Sequence, residues 1–69
     1  NAPMKIIDLN ISTRAEVESI SVGDSIIINE AEWTVAEDPG TTLTLYREDV
    51  DGKIQTQELD FQKLINQAD

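Results

Sequence analysis

Apolar and polar residues alternate with a period of two along much of this chain, which is the pattern of half-buried β-strands. The first such segment is 5–11, where Ile7, Leu9 and Ile11 share one face and the residues between them are polar. Further alternating segments follow at near-regular spacing and are separated by turn residues. The pattern therefore predicts five strands, over 5–11, 25–28, 33–37, 41–47 and 53–59.

Two short segments carry helix signals instead. Thr13 and Glu16 fit the Thr-x-x-Glu capping box, which predicts a turn or two of helix over 14–19. Asp60 fits the N-cap position of a second helix near the end of the chain. The apolar residues that would dock this second helix on the sheet are Phe61, Leu64 and Ile65.

Turn residues set the limits of the predicted strands. Residues 22–24, 29–32 and 49–52 read as tight turns, and Asp38-Pro39-Gly40 is the strongest break. Ile54 and Leu59 have opposite parity, which predicts a bulge or a strand end between them. The predicted core is Ile7, Leu9, Ile11, Val17, Ile20, Val22, Ile26, Ile28, Trp33, Val35, Leu43, Leu45, Ile54, Phe61, Leu64 and Ile65.

Five short strands joined by tight turns favour a small all-β fold. The segment Val22-Gly23-Asp24-Ser25-Ile26, an apolar residue and a Gly-Asp turn leading into a strand, resembles a feature of small barrels. We therefore expect a mainly β fold, an SH3-like, bent, five-stranded barrel with a short C-terminal helix. The alternative is a small α+β sheet with one packed helix. Either architecture would leave function undetermined.

The chain is short enough to form one domain. It has 69 residues, no Cys and no His, so neither disulfides nor thiolate or imidazole metal sites are available to stabilise it. Asn1-Ala2-Pro3 precede Met4, which we interpret as the native start. Residues 1–3 are then a cloning remnant and 4–69 are the single domain. We see no signal peptide or membrane span, and expect a cytoplasmic protein.

The charge of the chain restricts its partners. Fourteen acidic residues face five basic ones, for a formal net charge of −9. Direct binding to nucleic acid or to an anionic membrane is not expected, because both need clustered Lys and Arg. The charge instead favours a protein partner with a basic surface. The composition is not that of a disordered chain, since 39% of the residues are apolar and they are periodic.

Catalytic chemistry is not expected. A nucleophilic Ser or Thr needs an adjacent base, and the chain has no His and no Lys in an apolar setting. We expect no cofactor. One weak match to a calcium loop exists: with Gly52 at the sixth position, Asp49, Asp51 and Glu58 fall at ligand positions, but Arg47 then occupies the first. A hairpin turn explains the same residues.

The candidate contact residues are acidic or aromatic. They are Glu30, Glu32, Glu37, Asp38 and Tyr46. Tyr46 shares the parity of Thr42 and Thr44, so it is either exposed for a partner or packed at the rim on the C-terminal helix. The only Trp, Trp33, shares the parity of Val35 and is expected in the core.

These features predict a non-enzymatic acidic protein-binding module. The expected role is that of a small accessory or inhibitory factor, of the phage or mobile-element type, that docks on a basic surface. A protein that handles nucleic acid is one such partner. The alternative is a structural or assembly protein that forms a homodimer through its edge strands, 5–11 or 53–59.

Overall fold

A computed structural model of the protein describes residues 4–68 and shows a mainly β fold. Five strands and two short helices alternate along the chain. The elements are β1 (Ile6–Asp8), α1 (Arg14–Glu18), β2 (Ser25–Ile28), β3 (Ala31–Val35), β4 (Thr42–Glu48), β5 (Ile54–Asp60) and α2 (Phe61–Gln67). The interpretation of residues 1–3 as a cloning remnant lies outside the described residues, as does Asp69.

The strands form one mixed sheet in the order β1-β2-β3-β4-β5. The segment that contains α1 crosses over so that β1 pairs with β2 in parallel, whereas β2 to β5 form an antiparallel meander. Within residues 4–68, β1 and β5 are the two edges and do not pair with each other. The mainly β, five-stranded prediction with a short C-terminal helix is confirmed, and the closed SH3-like barrel is not.

The helices begin where their capping residues predict. Thr13 accepts the N–H of Glu16, whose carboxylate accepts the N–H of Thr13 in return, so the capping box of α1 is complete. Asp60 caps α2 by accepting the N–H of Lys63 at 3.1 Å. Each cap satisfies backbone donors that a short helix would otherwise leave without a partner. Neither helix in the described part of the chain has the length and apolar content that a membrane crossing requires.

The core lies on one face of the sheet, beneath both helices. Its fully buried residues are Ile7, Val17, Ile20, Ile26, Val35, Leu43 and Leu45. Partly buried residues of α2 pack against this cluster, as do residues at the rim of the sheet. The guanidinium Nε of Arg14 also donates to the backbone oxygen of Ile65 at 3.3 Å, which links α1 to α2.

Neither helix of residues 4–68 packs on the opposite face of the sheet, and we call it the uncovered face. Strand register assigns residues to it, because directly paired residues point to the same side of a sheet. Its members are Ile6, Asp8, Ser25, Ile27, Glu32, Thr34, Thr42, Thr44, Tyr46, Glu48, Ile54, Thr56, Glu58 and Asp60. The molecule is therefore a two-layer structure in which one side of the sheet is open to a partner.

Three residues of the predicted core are exposed. Ile11 is 80% exposed because β1 ends at Asp8, whose carboxylate accepts the N–H of Asn10 and turns the chain. Val22 is 50% exposed in the turn before β2. Ile54 is 59% exposed because β5 pairs with β4 in continuous register, without the expected bulge, and so places Ile54 on the uncovered face.

The β2–β3 turn is tighter than predicted. Only Asn29 and Glu30 form it, with Ile28 paired to Ala31, whereas the sequence pattern predicts a loop over 29–32. Asn29 and Glu30 have φ of 50° and 70°. Two successive residues with positive φ are the signature of a type I′ turn, for which Asn-Gly is the preferred sequence. Glu30 therefore occupies a position where Gly is favoured.

We expect Glu30→Gly to raise the free energy of unfolding by about 0.5–1 kcal/mol. Relief of the left-handed conformation exceeds the extra chain entropy that Gly brings to the unfolded state. Urea unfolding measures the change. The matched control is Glu32→Gly, which removes the same charge from extended backbone and should lower the free energy of unfolding by a similar amount. Equal effects of the two substitutions would contradict the strained turn.

Candidate functional site

The uncovered face carries charge of one sign. Its ionisable side chains at strand positions are the five carboxylates of Asp8, Glu32, Glu48, Glu58 and Asp60. None of its strand positions holds Lys or Arg, although the chain has five basic residues. Four of the carboxylates are exposed, and that of Asp8 is half-buried. A surface of this kind attracts cationic groups and repels other acids.

Tyr46 lies on the uncovered face, on β4, with a paired strand on each side. It is directly paired with Thr34 on β3 and with Thr56 on β5, and its side chain is 39% exposed. The C-terminal helix packs on the other side of the sheet, so the rim position on that helix is wrong for Tyr46. A half-exposed Tyr between short Thr side chains can contact a partner with its ring and its hydroxyl.

The other predicted contact residues do not gather around Tyr46. Glu32 does lie on the uncovered face, on β3, where it is paired with Ile27. Glu30 stands in the β2–β3 turn, at one end of the sheet. Glu37 and Asp38 stand in the β3–β4 connection at the opposite end, and Asp38 accepts the N–H of Val22 at 2.8 Å. The five candidates therefore divide into two on the face and three at its ends.

Trp33 is half-buried and packs at the edge of the core. The guanidinium carbon of Arg47 lies 5.6 Å from the centre of its ring, within the range of a cation–π contact. Trp33 therefore belongs to the helix-covered side of the sheet, as its parity predicts, but it is not the central packing residue. It has no place on the uncovered face.

The carboxylates of the calcium-loop match are not brought together. The Asp49 carboxylate accepts the N–H groups of Asp51 and Lys53 and the side-chain amide of Gln55, at 2.9–3.1 Å. The Lys53 N–H, the largest influence, holds the pKa of Asp49 below its usual value. Glu58 lies further along β5, paired with Thr44. The turn joins β4 to β5, with Glu48 paired to Ile54, so it is a β-hairpin. No group of three metal-ligating residues occurs among the described residues.

Asp24 is the only charged residue buried in the described part of the chain, at 3% exposure. Its carboxylate forms an ion pair with the Lys5 ammonium at 2.9 Å and accepts the N–H groups of Ser21 and Lys5. Burial by itself would raise the pKa of Asp24, but these donors outweigh it and lower the pKa below its ordinary value of 3.8. This carboxylate is engaged within the fold and is unavailable to a partner.

A depression of about 610 Å³ opens beside the end of β5. Among the residues that line it are Thr42, Glu58, Asp60 and Gln62. Glu58 and Asp60 are on the uncovered face, so the depression is continuous with that face. Its two carboxylates and its polar lining suit a basic side chain.

Sequence reasoning missed most of the acidic residues of this surface. Asp8, Glu48, Glu58 and Asp60 share a face with Tyr46 only through the strand register. The parity of each strand was readable from its apolar residues, except in β5, where Ile54 and Leu59 conflict. That conflict hid the side on which Glu58 and Asp60 lie.

No protein-family model, curated protein or solved structure matches this chain. The uncovered face therefore has to be interpreted from its own geometry. What that geometry offers is electrostatic and aromatic contact over a broad surface, with a Tyr and carboxylates on the same face.

Proposed function

We propose that this chain is a non-enzymatic protein-binding module that docks its uncovered face on a basic surface of a partner protein. The observation that carries the proposal is the charge of that face, with five carboxylates and no base at its strand positions. The role that fits is a small accessory or inhibitory factor of the phage or mobile-element type. Proteins that handle nucleic acid present the clustered Lys and Arg that such a face would meet.

Tyr46 supports the proposal as the aromatic anchor of the interface. Binding energy concentrates in a few residues, and Tyr is enriched among them. The surrounding carboxylates would provide orientation and fast association, while the ring would provide the desolvated contact. Of the residues predicted from the sequence, Glu32 and Tyr46 act in this way. Glu30, Glu37 and Asp38 can contribute only at the ends of the face.

The proposal predicts that removing two charges from the uncovered face weakens binding more than removing two charges elsewhere. We expect E32Q/E58Q to weaken binding to a purified, strongly basic nucleic-acid-binding protein by about tenfold, or about 1.4 kcal/mol. The control E18Q/D51N removes the same charge from exposed positions off the face and should weaken binding far less. Fluorescence anisotropy of the labelled chain gives both affinities.

The salt dependence of binding and the variant Tyr46→Ala complete the test of the proposal. Affinity should fall steeply between about 0.1 M and 1 M salt, because the screening length shortens from about 10 Å to 3 Å. Tyr46→Ala should weaken binding at every salt concentration, since the ring contact is apolar. Equal losses in the two double variants, together with no effect of Tyr46→Ala, would show that net charge alone attracts the probe.

Self-association through edge strands is the second candidate, and the open edge of β5 supports it. A long unpaired edge strand is a template for a second copy. The net charge of −9 on each copy opposes it. A monomer mass that does not change with concentration in sedimentation equilibrium would rule it out.

The SH3-like fold class stays a prediction, and the proposed function does not depend on it. The short strands and the turn at Gly23 support that class. The parallel pairing of β1 with β2 does not support it.

A further inference from the structure

The hydrogen-bond pattern of the β4–β5 pair shows which backbone groups of β5 face outwards. One backbone hydrogen bond lies at each end of the β4–β5 pair. The Asp49 N–H donates to the Lys53 oxygen at 2.9 Å, and the Phe61 N–H donates to the Thr41 oxygen at 3.1 Å. Paired residues alternate between hydrogen-bonded and non-bonded positions in an antiparallel ladder. Lys53 and every second residue after it therefore bond to β4. The backbone groups that point away from the sheet belong to Ile54, Thr56, Glu58 and Asp60.

This outer edge is long and accessible. β5 has seven residues, against three in β1 at the other edge of the sheet. No backbone hydrogen bond to the outward groups of Ile54, Thr56 or Glu58 is present within residues 4–68, whereas Asp60 ends the row as the N-cap of α2. All four of these residues are exposed. Unpaired groups of this kind pair readily with an extended segment of another chain.

The side chains along the edge indicate the chemistry of that segment. The residues whose backbone points outwards also lie on the uncovered face, and two of them, Glu58 and Asp60, are acidic. An added strand would place every second side chain on the same face, in cross-strand contact with these carboxylates. The depression of about 610 Å³ that Glu58 and Asp60 line would receive one of those side chains. Lys or Arg at alternate positions fits this arrangement.

We propose that the partner adds an extended, basic segment as a sixth strand along the outer edge of β5, with its Lys or Arg side chains against Glu58 and Asp60. This inference rests on the proposed function and specifies how the same acidic surface recognises its partner. A second copy of the chain is the less suitable occupant, because its own β5 would bring Glu58 and Asp60 to the same edge at a net charge of −9.

The test uses a peptide in which Lys and Thr alternate over seven residues, the length of β5. We expect it to bind the intact chain, to move the amide signals of Ile54, Thr56, Glu58 and Asp60, and to slow their hydrogen exchange by about tenfold or more. The control peptide has the same sequence with an N-methyl group on every backbone amide, because methylation of alternate amides would leave one edge of the peptide free to pair. It keeps the charge but cannot pair with the edge, and it should bind about tenfold more weakly.

Variants of Thr56 test the same backbone pairing by changing the protein instead of the peptide. Thr56→Pro removes an outward N–H without breaking a β4–β5 hydrogen bond, the one setting in which a strand tolerates Pro. We expect it to weaken peptide binding by about tenfold, whereas Thr56→Ala keeps the outward N–H and should weaken binding far less. If Thr56→Pro fails to fold, the N-methylated peptide still tests whether binding requires backbone pairing with β5.

The outcomes separate the two proposals. If both peptides bind equally and protect residues of the uncovered face away from β5, the sixth strand is overturned and the charge-driven docking stands. If neither peptide nor any basic protein binds, the proposed function fails and the inference fails with it. If the chain forms a dimer that Thr56→Pro dissociates, the edge is occupied by a second copy and the basic segment is overturned.

Discussion

Asp24→Ala is expected to destabilise the protein by roughly 2–4 kcal/mol. The substitution leaves two backbone N–H groups and the Lys5 ammonium without their acceptor. Hydrogen bonds to charged groups contribute about 1.5–3 kcal/mol each. We take the lower part of the range because the Lys5 side chain is 45% exposed and water can replace its partner. A core of this size supplies only about 3–5 kcal/mol, so the substitution removes much of the stability and leaves a low urea midpoint.

Asparagine does not restore the interaction at this position. Both carboxylate oxygens of Asp24 accept hydrogen bonds, one from Lys5 N–H and the other from Ser21 N–H and the Lys5 ammonium. An amide would turn one acceptor into a donor that faces these groups. Asp24→Asn should therefore cost nearly as much as Asp24→Ala. The control is Asp51→Ala, which removes an exposed charge from a turn and should change the free energy of unfolding by less than about 0.5 kcal/mol.

The same carboxylate makes stability depend on acid pH. The pKa of Asp24 is lower in the folded than in the unfolded state, so the unfolded chain binds more protons as the pH falls. Its contribution is complete above the unfolded pKa of about 3.9 and is lost as the pH drops through the folded pKa. Urea midpoints of the wild type should decline over that window more steeply than those of Asp24→Asn. Parallel declines would contradict the structural role of Asp24.

The second large effect is expected at Leu43 in the middle of the core. Leu43 is 0% exposed and is paired with Leu59 on β5. Leu43→Ala should lower the free energy of unfolding by about 2–5 kcal/mol, because it removes buried methyl groups and leaves a cavity. In a domain this small, a loss of that size abolishes a cooperative thermal transition, which calorimetry detects directly.

Thr42→Ala is the matched control for Leu43→Ala. Thr42 is the next residue on the same strand, but it is exposed and belongs to the uncovered face. Its replacement should change stability by less than about 0.5 kcal/mol. A loss as large as that of Leu43→Ala would mean that the uncovered face is packed against something, and the two-layer description would be wrong.

The alternation of apolar and polar residues predicts the five strands, and the two capping signals predict the two helices. Leu43 and Leu45 alternate with Thr residues, and the structure buries both. The Thr13–Glu16 capping box and the Asp60 cap mark the two helix starts correctly. These signals are local, since each depends on residues a few positions apart, and local chemistry determines them.

The two clearest failures, at Ile11 and Ile54, have different physical causes, one within a few residues of the chain and one across strands. The alternation of residues 5–11 continues past Asp8, but the side chain of Asp8 turns the backbone and leaves Ile11 in solvent. Ile54 looked like a core residue because it is apolar, yet the register with β4 puts it on the other side of the sheet. Register depends on pairing across strands, and parity within a strand does not reveal it when the apolar residues conflict.

The candidate site was predicted only in part, for a related reason. Tyr46 is identified because it opposes Leu43 and Leu45 on its own strand, whereas Glu32 is predicted from its charge in a loop and lies on the face because β3 begins at Ala31. Glu37 and Asp38 are predicted from their charge alone, and both lie in the β3–β4 connection, off the uncovered face. The parallel pairing of β1 with β2 was not foreseen, and it brings Asp8 to the uncovered face.

The outward row of Glu58 and Asp60 on the edge of β5 has a consequence for the behaviour of the free protein. Charged side chains on an unpaired edge strand prevent copies of a protein from stacking into aggregates. The two carboxylates that would attract a basic segment therefore also keep the free chains dispersed. The proposed recognition and the dispersal of free chains would depend on the same two carboxylates, so substitution of Glu58 or Asp60 should alter both together.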